Sequence, residues 1–165
     1  MDTTATSSGL TLLELMITLA VLAILGAMML PGLGSRLERQ RLQHAAETLA
    51  GDIAEARFLA AQKGLAVYVQ ARAGAQWCWA VADSADCVCG SAASCQIHGV
   101  GVAHHPGVRL LDSLALRLDP AGGADAATGA TFESPSGDRL RVEVSLQGRP
   151  RLCAAAGHWP QLKPC

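Results

Sequence analysis

The longest apolar stretch of the chain runs from Leu10 to Ser35, and Glu14 carries its only ionisable side chain. A helix needs about 20 apolar residues to cross a bilayer, so residues 10–35 are predicted to form a transmembrane helix. A carboxylate within lipid costs on the order of 3 kcal/mol, which an ordinary membrane anchor avoids. A small polar leader, residues 1–9, precedes the stretch and no small-residue cleavage site follows it. A secretory signal peptide is therefore not predicted.

Apolar residues continue at helical spacing beyond Pro31, with charged residues on the opposite face. Residues 36–63 are therefore predicted to form an amphipathic half of the same helix. Pro31 removes one backbone donor and should kink or loosen the helix, and Lys63 followed by Gly64 is typical of a helix end. The predicted inward stripe consists of Leu33, Leu37, Leu42, Ala45, Ala46, Leu49, Ile53, Ala56, Leu59 and Ala60.

After Gly64 the pattern changes to short segments typical of strands, separated by turn residues. The predicted fold class is α+β, with one long helix packed on a β-rich domain of antiparallel strands, residues 64–165. A disulfide-held loop is expected over residues 83–94, and a flexible turn over residues 120–129. The eight predicted strands cover residues 65–72, 77–82, 97–102, 108–111, 114–118, 130–133, 140–146 and 150–153.

Net charge and cysteine content narrow the function classes. The 165-residue chain has a formal net charge of −1, so no overall positive field attracts nucleic acid and such binding would need a local patch. Its six cysteines all follow the apolar stretch and favour an oxidising compartment such as the periplasm. The sequence shows no nucleophile elbow, phosphate-binding glycine loop or carboxylate pair, so we expect neither an enzyme nor a cofactor.

The N-terminal residues resemble the class III signal of type IV pilins and type II secretion pseudopilins. In that family a membrane peptidase cuts after a glycine and methylates the new N-terminus. The resemblance implies cleavage between Gly9 and Leu10, methylation of Leu10, and roles in filament assembly for Glu14 and Pro31. A buried Glu14 carboxylate is tolerable if the free amine of a neighbouring subunit pairs with it. The leader departs from the family pattern, since it contains Asp2 and no Lys or Arg.

Later segments resemble the GspH/FimT group of minor pilins and pseudopilins. The resemblance rests on Trp77-Cys-Trp79, on Leu116-Arg-Leu118-Asp-Pro120 before a glycine-rich turn, and on Gly148-Arg-Pro-Arg151. It implies a single-pass inner-membrane protein with a periplasmic C-terminal domain, which later enters a pilus at the cell surface. The implied partners are the prepilin peptidase and other minor and major pilins.

Disulfides are expected in the periplasm. The resemblance implies a disulfide between Cys153 and Cys165, which would restrain the C-terminal tail by about 3 kcal/mol. The other four cysteines can pair in three ways, and two remain open once a bond across a single residue is excluded. Those four are Cys78, Cys87, Cys89 and Cys95.

A metal site is the rival interpretation of the cysteine-rich segment. Cys87, Cys89, Cys95 and His98 offer four possible ligands, but the Cys-x-Cys spacing is poor for tetrahedral zinc. Disulfides are therefore preferred and no metal is predicted. The histidine pair that follows this segment, His104 and His105, is expected in a solvated turn.

Residues 139–146 alternate strictly, so their apolar side chains face inward and the polar ones face outward. A two-residue turn after Leu146 would place two arginines on the core face. A three-residue loop, residues 147–149, is therefore predicted, and it pairs Leu146 with Pro150. In that register Leu152 faces inward.

The same register gathers arginines on the outer face, with Arg149 at the loop tip and Arg151 beside Ser145. Gly148-Arg-Pro-Arg151 matches the GRxR motif with which the FimT branch binds DNA during natural transformation. The arginine fork grips phosphate oxygens and stays charged. The predicted DNA-binding residues are Gly148, Arg149, Arg151, Arg141, Arg139 and Lys163.

The function predicted from these features is that of a FimT-like minor type IV pilin that binds DNA for competence. Binding through so small a patch should be weak, salt-sensitive and indifferent to sequence. The alternative is a structural minor pilin, or a GspH-like pseudopilin of type II secretion, that supports filament assembly without binding DNA. In that case the arginines form a solvated strand face, partly neutralised by Glu143.

Overall fold

The computed structural model describes residues 11–87, 89–90 and 95–165, apart from the side chains of residues 28–33. The predicted cleavage site at Gly9 and Leu10 therefore lies outside the described residues, as does the side chain of Pro31. The chain divides into two compact units, residues 1–36 and residues 37–165. A single helix, α1 (Leu12–Lys63), contributes residues to both units.

In the first unit α1 carries large apolar side chains that are exposed. Leu12, Met16 and Leu22 are each more than 60% exposed. The hydroxyl of Thr11 accepts a hydrogen bond from the backbone N–H of Glu14 at 3.3 Å, which satisfies one free donor at the helix start. Among the described residues, no helical segment combines the length and hydropathy that a membrane span requires. The predicted span, residues 10–35, includes residues outside the described part.

In the second unit α1 buries one face and exposes the other, as its helical spacing predicts. Seven residues of the predicted stripe are completely buried: Leu42, Ala45, Ala46, Leu49, Ile53, Ala56 and Ala60. Leu37 was wrongly assigned to this stripe, because it is half exposed in a surface groove. The helix ends as predicted. Gly64 adopts φ +65° and its N–H donates to the carbonyl of Ala60 at 3.0 Å.

In the described part of the chain, eight strands form two four-stranded sheets, in the orders β3-β2-β1-β5 and β4-β6-β7-β8. Every pairing within them is antiparallel. The α+β prediction of a long helix packed on antiparallel sheets is thus confirmed, and each of the eight predicted segments overlaps one of these strands. The strands are β1 (Val67–Arg72), β2 (Cys78–Ala82), β3 (Gln96–Gly101), β4 (Arg109–Leu110), β5 (Leu114–Leu118), β6 (Thr128–Glu133), β7 (Arg139–Val144) and β8 (Pro150–Ala156).

Three aromatic residues occupy the centre of the core. The indoles of Trp77 and Trp79 stack with their centroids 5.5 Å apart, and Phe132 meets both edge-on. Each indole N–H is satisfied, since Trp77 donates to the Val108 carbonyl at 2.7 Å and Trp79 donates to the Asp52 carboxylate at 2.6 Å. These bonds offset the cost of burying two polar N–H groups.

Three disulfides cross-link the second unit. Cys78 bonds Cys89 and Cys87 bonds Cys95, which is one of the two pairings that the sequence left open. Both hold the segment that joins β2 to β3, where residues 88 and 91–94 lie outside the described part. The third, between Cys153 and Cys165, ties the C-terminal residue to β8.

Candidate nucleic-acid interface

The hairpin of β7 and β8 carries the predicted arginines, but in a different register. Val144 pairs with Pro150 and Glu143 with Arg151, whereas the prediction paired Leu146 with Pro150. The shift is two residues, so each side chain of β8 keeps its predicted face. Leu146, predicted to face inward, instead lies in the turn and is 58% exposed.

The turn explains the shift. The N–H of Gly148 donates to the carbonyl of Ser145 at 2.8 Å, and the N–H of Ser145 donates to the carbonyl of Arg149 at 3.1 Å. The loop has three residues as predicted, but they are 146–148 rather than 147–149. A three-residue hairpin loop ends on a residue in the left-handed region, and Gly148 meets that need with φ +67°. Arg149 therefore begins the return strand and is not at the loop tip.

Gly148 is also buried against another turn. A β-carbon at this position would lie 2.6 Å from the carbonyl oxygen of Gly122 and 3.3 Å from Cδ of Arg57. The Arg57 guanidinium donates to the same Gly122 carbonyl at 2.8 Å and fixes that turn on α1. Gly148 therefore allows close packing inside the protein. This internal packing differs from the DNA contact that was predicted for Gly148.

Arg139 lies on the outer face of β7, as predicted, but its charge is paired. It contacts the carboxylate of Glu133 on β6 at 2.8 Å, and Arg109 on β4 contacts the second oxygen of that carboxylate. The hydrogen bond from Arg139 holds the pKa of the Glu133 carboxyl below its ordinary value, and Arg109 adds to this while burial opposes it. Both arginines are thus partly neutralised by one buried acid.

Arg141 and Arg151 are paired as well. Arg141 contacts the carboxylate of Asp112 and the hydroxyl of Thr131, each at 2.9 Å. Arg151 contacts the carboxylate of Glu143, its direct neighbour on β7, at 2.8 Å. Since a bound phosphate must compete with these carboxylates, the two arginines are weaker phosphate ligands than their positions alone indicate.

Arg149 differs from the other three arginines. Within the described part of the chain, no carboxylate forms an ion pair with it. It lies beside an open surface groove of about 570 Å³, which we call the arginine groove. The charged residues that line this groove are Arg141, Glu143, Arg149 and Arg151. A phosphate could therefore meet one cation that no described acid already engages.

The remaining candidates lie on the C-terminal loop. Lys163 is exposed, and its carbonyl accepts a hydrogen bond from the N–H of Ala154 on β8 at 2.9 Å. Trp159 packs against the core, donates to the Ala156 carbonyl at 3.1 Å and carries Arg39 over its ring at 5.8 Å. Its ring is therefore engaged within the protein. Lys163 is not among the residues that line the arginine groove.

The cysteine-rich segment offers no thiol ligands. All six cysteines are in disulfides, so the cysteine ligands of the rival metal site are not available. His98 instead lies 3.7 Å from the carboxylate of Asp52. His105, expected in a solvated turn, is 95% buried against Trp77 and Trp79 because its ring stacks on both indoles.

Sequence reasoning named Glu143 but missed the other two acidic partners of the arginines, Glu133 and Asp112. Glu133 ends a predicted strand, and pairing this strand with the next one would have been the signal that places it beside Arg139. Asp112 follows β4, and only the adjacency of β4 and β6 in the sheet brings it near Arg141. No local signal in the sequence reveals that adjacency.

Comparison with known proteins complements this geometry. A family model described as "Type II transport protein GspH" matches residues 45–148, and a model described as "Prokaryotic N-terminal methylation motif" matches residues 5–30. No curated protein and no solved structure matches the chain. The first match covers more than half of the chain, from the amphipathic half of α1 to Gly148. The chain therefore belongs to the GspH family of non-enzymatic, pilin-like proteins with a prepilin-type N-terminus.

Proposed function

We propose that this chain acts chiefly as a minor structural subunit that helps a type II secretion pseudopilus or a type IV pilus to assemble. The observation that carries the proposal is the exposed apolar surface of α1 between Leu12 and Leu25. Exposed apolar surface of this extent needs a partner, either lipid or neighbouring subunits. The methylation motif over residues 5–30 supports processing by a prepilin peptidase, anchoring in the inner membrane and later entry into a filament.

Glu14 supplies the specific contact in this proposal. Its backbone N–H is capped by Thr11, and no described cation forms an ion pair with its carboxylate. Cleavage after Gly9 would create a free amine at Leu10. The amine of a neighbouring subunit then pairs with Glu14 inside the filament, where an unpaired carboxylate would be costly.

The test compares Glu14→Ala with Glu55→Ala, which removes an exposed acid on the second half of α1. Both variants are expected to be cleaved and methylated normally, as mass spectrometry of the N-terminus would check. Glu14→Ala should remain in the membrane fraction and be absent from sheared filaments, whereas Glu55→Ala should be incorporated. Normal incorporation of Glu14→Ala would refute the assembly role of this carboxylate.

Weak DNA binding in the arginine groove is a second candidate function, favoured by Arg149. This cation is exposed, has no described acidic partner and belongs to the Gly148-Arg-Pro-Arg151 motif. Glu143 acts against binding because it occupies Arg151. Only one or two phosphates can be neutralised here, so affinity should be low and should fall as salt rises.

The DNA test uses the full disulfide-bonded chain in nonionic detergent micelles and follows the anisotropy of a short labelled duplex. At low salt Arg149→Ala should weaken binding and reduce the salt slope by about 0.9. Glu143→Gln should strengthen binding, since it releases Arg151. The matched control is Arg72→Ala, an exposed arginine at the end of β1 in the other sheet. No binding by the folded wild-type chain at low salt would eliminate this candidate and leave the assembly role intact.

A further inference from the structure

Three of the five histidines in the chain surround one surface groove of about 340 Å³, which we call the histidine groove. His44 lies on α1, and His104 and His105 follow β3 at the end of a short 3-10 helix. Leu37 and Arg41 of α1 line the same groove. None of these residues belongs to the arginine groove.

His105 is the deepest of the three. Its ring stacks on Trp79 at 5.9 Å and on Trp77 at 6.2 Å, and the ring of His44 lies 5.3 Å away. The residue is 5% exposed, yet within the described residues no hydrogen bond reaches its ring nitrogens. No described buried side-chain nitrogen or oxygen lacks a partner, so the ring nitrogens of His105 that make no hydrogen bond must reach the histidine groove, where an ion can contact them.

The two exposed histidines have backbone or hydroxyl partners at Nδ1, and the role of Nδ1 decides whether Nε2 is available. Thr48 donates its hydroxyl proton to the His44 carbonyl at 2.7 Å, so its oxygen can accept from Nδ1 of His44 at 3.4 Å. Nδ1 of His104 lies 3.2 Å from the Gly101 N–H and 3.3 Å from the Gly101 carbonyl. Nε2 carries the proton when Nδ1 accepts from the N–H, and it is free to bind an ion when Nδ1 donates to the carbonyl. Hydrogen bonds of this kind fix the ring tautomer of metal-binding histidines.

We propose that His44, His104 and His105 together bind a divalent transition-metal ion of the class that imidazole prefers, such as Zn²⁺. Three imidazoles with one open position form a known donor set for zinc. No histidine trio among the described residues already lies within ion-binding distance, so His44 and His104 must turn their rings toward His105 when the ion binds. Arg41 faces the same groove and favours an anionic fourth ligand.

The experiment uses the full disulfide-bonded chain without an affinity tag, in detergent micelles and after treatment with a chelator. Calorimetric titration with Zn²⁺ should show uptake of one equivalent, and Zn²⁺ should raise the melting temperature. Ni²⁺ should quench tryptophan fluorescence, because two of the three tryptophans stack on His105. Excess Zn²⁺ should reverse the quenching by competition.

Two matched double variants locate the ion. His44→Ala with His104→Ala changes only exposed side chains and should weaken Zn²⁺ binding at least about tenfold. His98→Ala with His158→Ala removes the same number of histidines elsewhere and should leave binding unchanged. His105→Phe keeps an aromatic ring between the indoles and His44 but should also weaken binding. Absence of Zn²⁺ uptake by the folded wild-type chain, or an equal loss in the two double variants, would overturn the proposal.

Discussion

The packing of Gly148 predicts a large loss of stability when alanine replaces it. Gly148 adopts φ +67°, and a β-carbon there would lie 2.6 Å from the Gly122 carbonyl oxygen. That oxygen belongs to a backbone that the Arg57 guanidinium holds in place, so it cannot easily withdraw. Gly148→Ala should therefore displace the β7–β8 hairpin from the turn that contains Gly122.

Two costs add at this position. An L-residue in the left-handed region costs about 1–2 kcal/mol, and overpacking a well-packed site costs about 1–3 kcal/mol more. The total loss of unfolding free energy is then roughly 2–5 kcal/mol. In a chain of this size each kcal/mol lowers the melting temperature by about 2–4 °C, so the expected shift is at least about 4 °C.

Gly137 provides the control. It also has a positive φ, +85°, but a β-carbon there would meet nothing within 4 Å. Gly137→Ala should therefore carry the backbone cost alone. Melting of the full disulfide-bonded chain, followed by tryptophan fluorescence, compares the two variants. If both melting temperatures fell equally, the close contact between Gly148 and Gly122 would contribute nothing and the reasoning would be refuted.

Three further predictions concern stability. The pKa of Glu133 is lowered in the folded chain. The contribution of Glu133 to the free energy of unfolding is therefore present above its unfolded pKa of about 4.3, and it is lost as pH falls through its folded pKa. In acid titrations Glu133→Gln should flatten this loss, and an unchanged slope would contradict the assignment. Arg39→Ala removes an ion pair to Asp138 at 2.8 Å, but solvent screens it, so denaturant unfolding should show a loss of only about 1 kcal/mol. Cys153→Ser with Cys165→Ser should cost about 3 kcal/mol in the same assay, and no change would mean that the tail is already ordered without its disulfide.

Patterns of local spacing were sufficient to predict the elements. Helical periodicity identified the seven buried positions of α1 between Leu42 and Ala60. Residues three and four apart share one face of a helix, and this holds whichever element packs against that face. Short strand-like segments separated by turn residues located the eight strands, which is also a local signal. Leu37 was misplaced because burial depends on what covers a side chain, and the described residues leave half of this side chain exposed.

The candidate site depended on information that no local pattern contains. The sequence identified the arginines of β7 and β8 and the length of the loop that joins them. It did not show where the loop lies, because Gly148 packs against the Gly122 turn, a contact between residues far apart in the chain. That position moved the register by two residues and set Arg151 beside Glu143.

The amino-acid sequence by itself determined the long helix, the antiparallel strands and the prepilin-type N-terminus, since each follows from residues close together in the chain. Only the tertiary structure decided how the other four cysteines pair, which acids neutralise Arg139 and Arg141, and which histidines meet in one groove. These outcomes depend on the order of strands in two sheets and on the packing of α1 against them. Contacts between residues far apart in the chain are selected by the free energy of the whole fold.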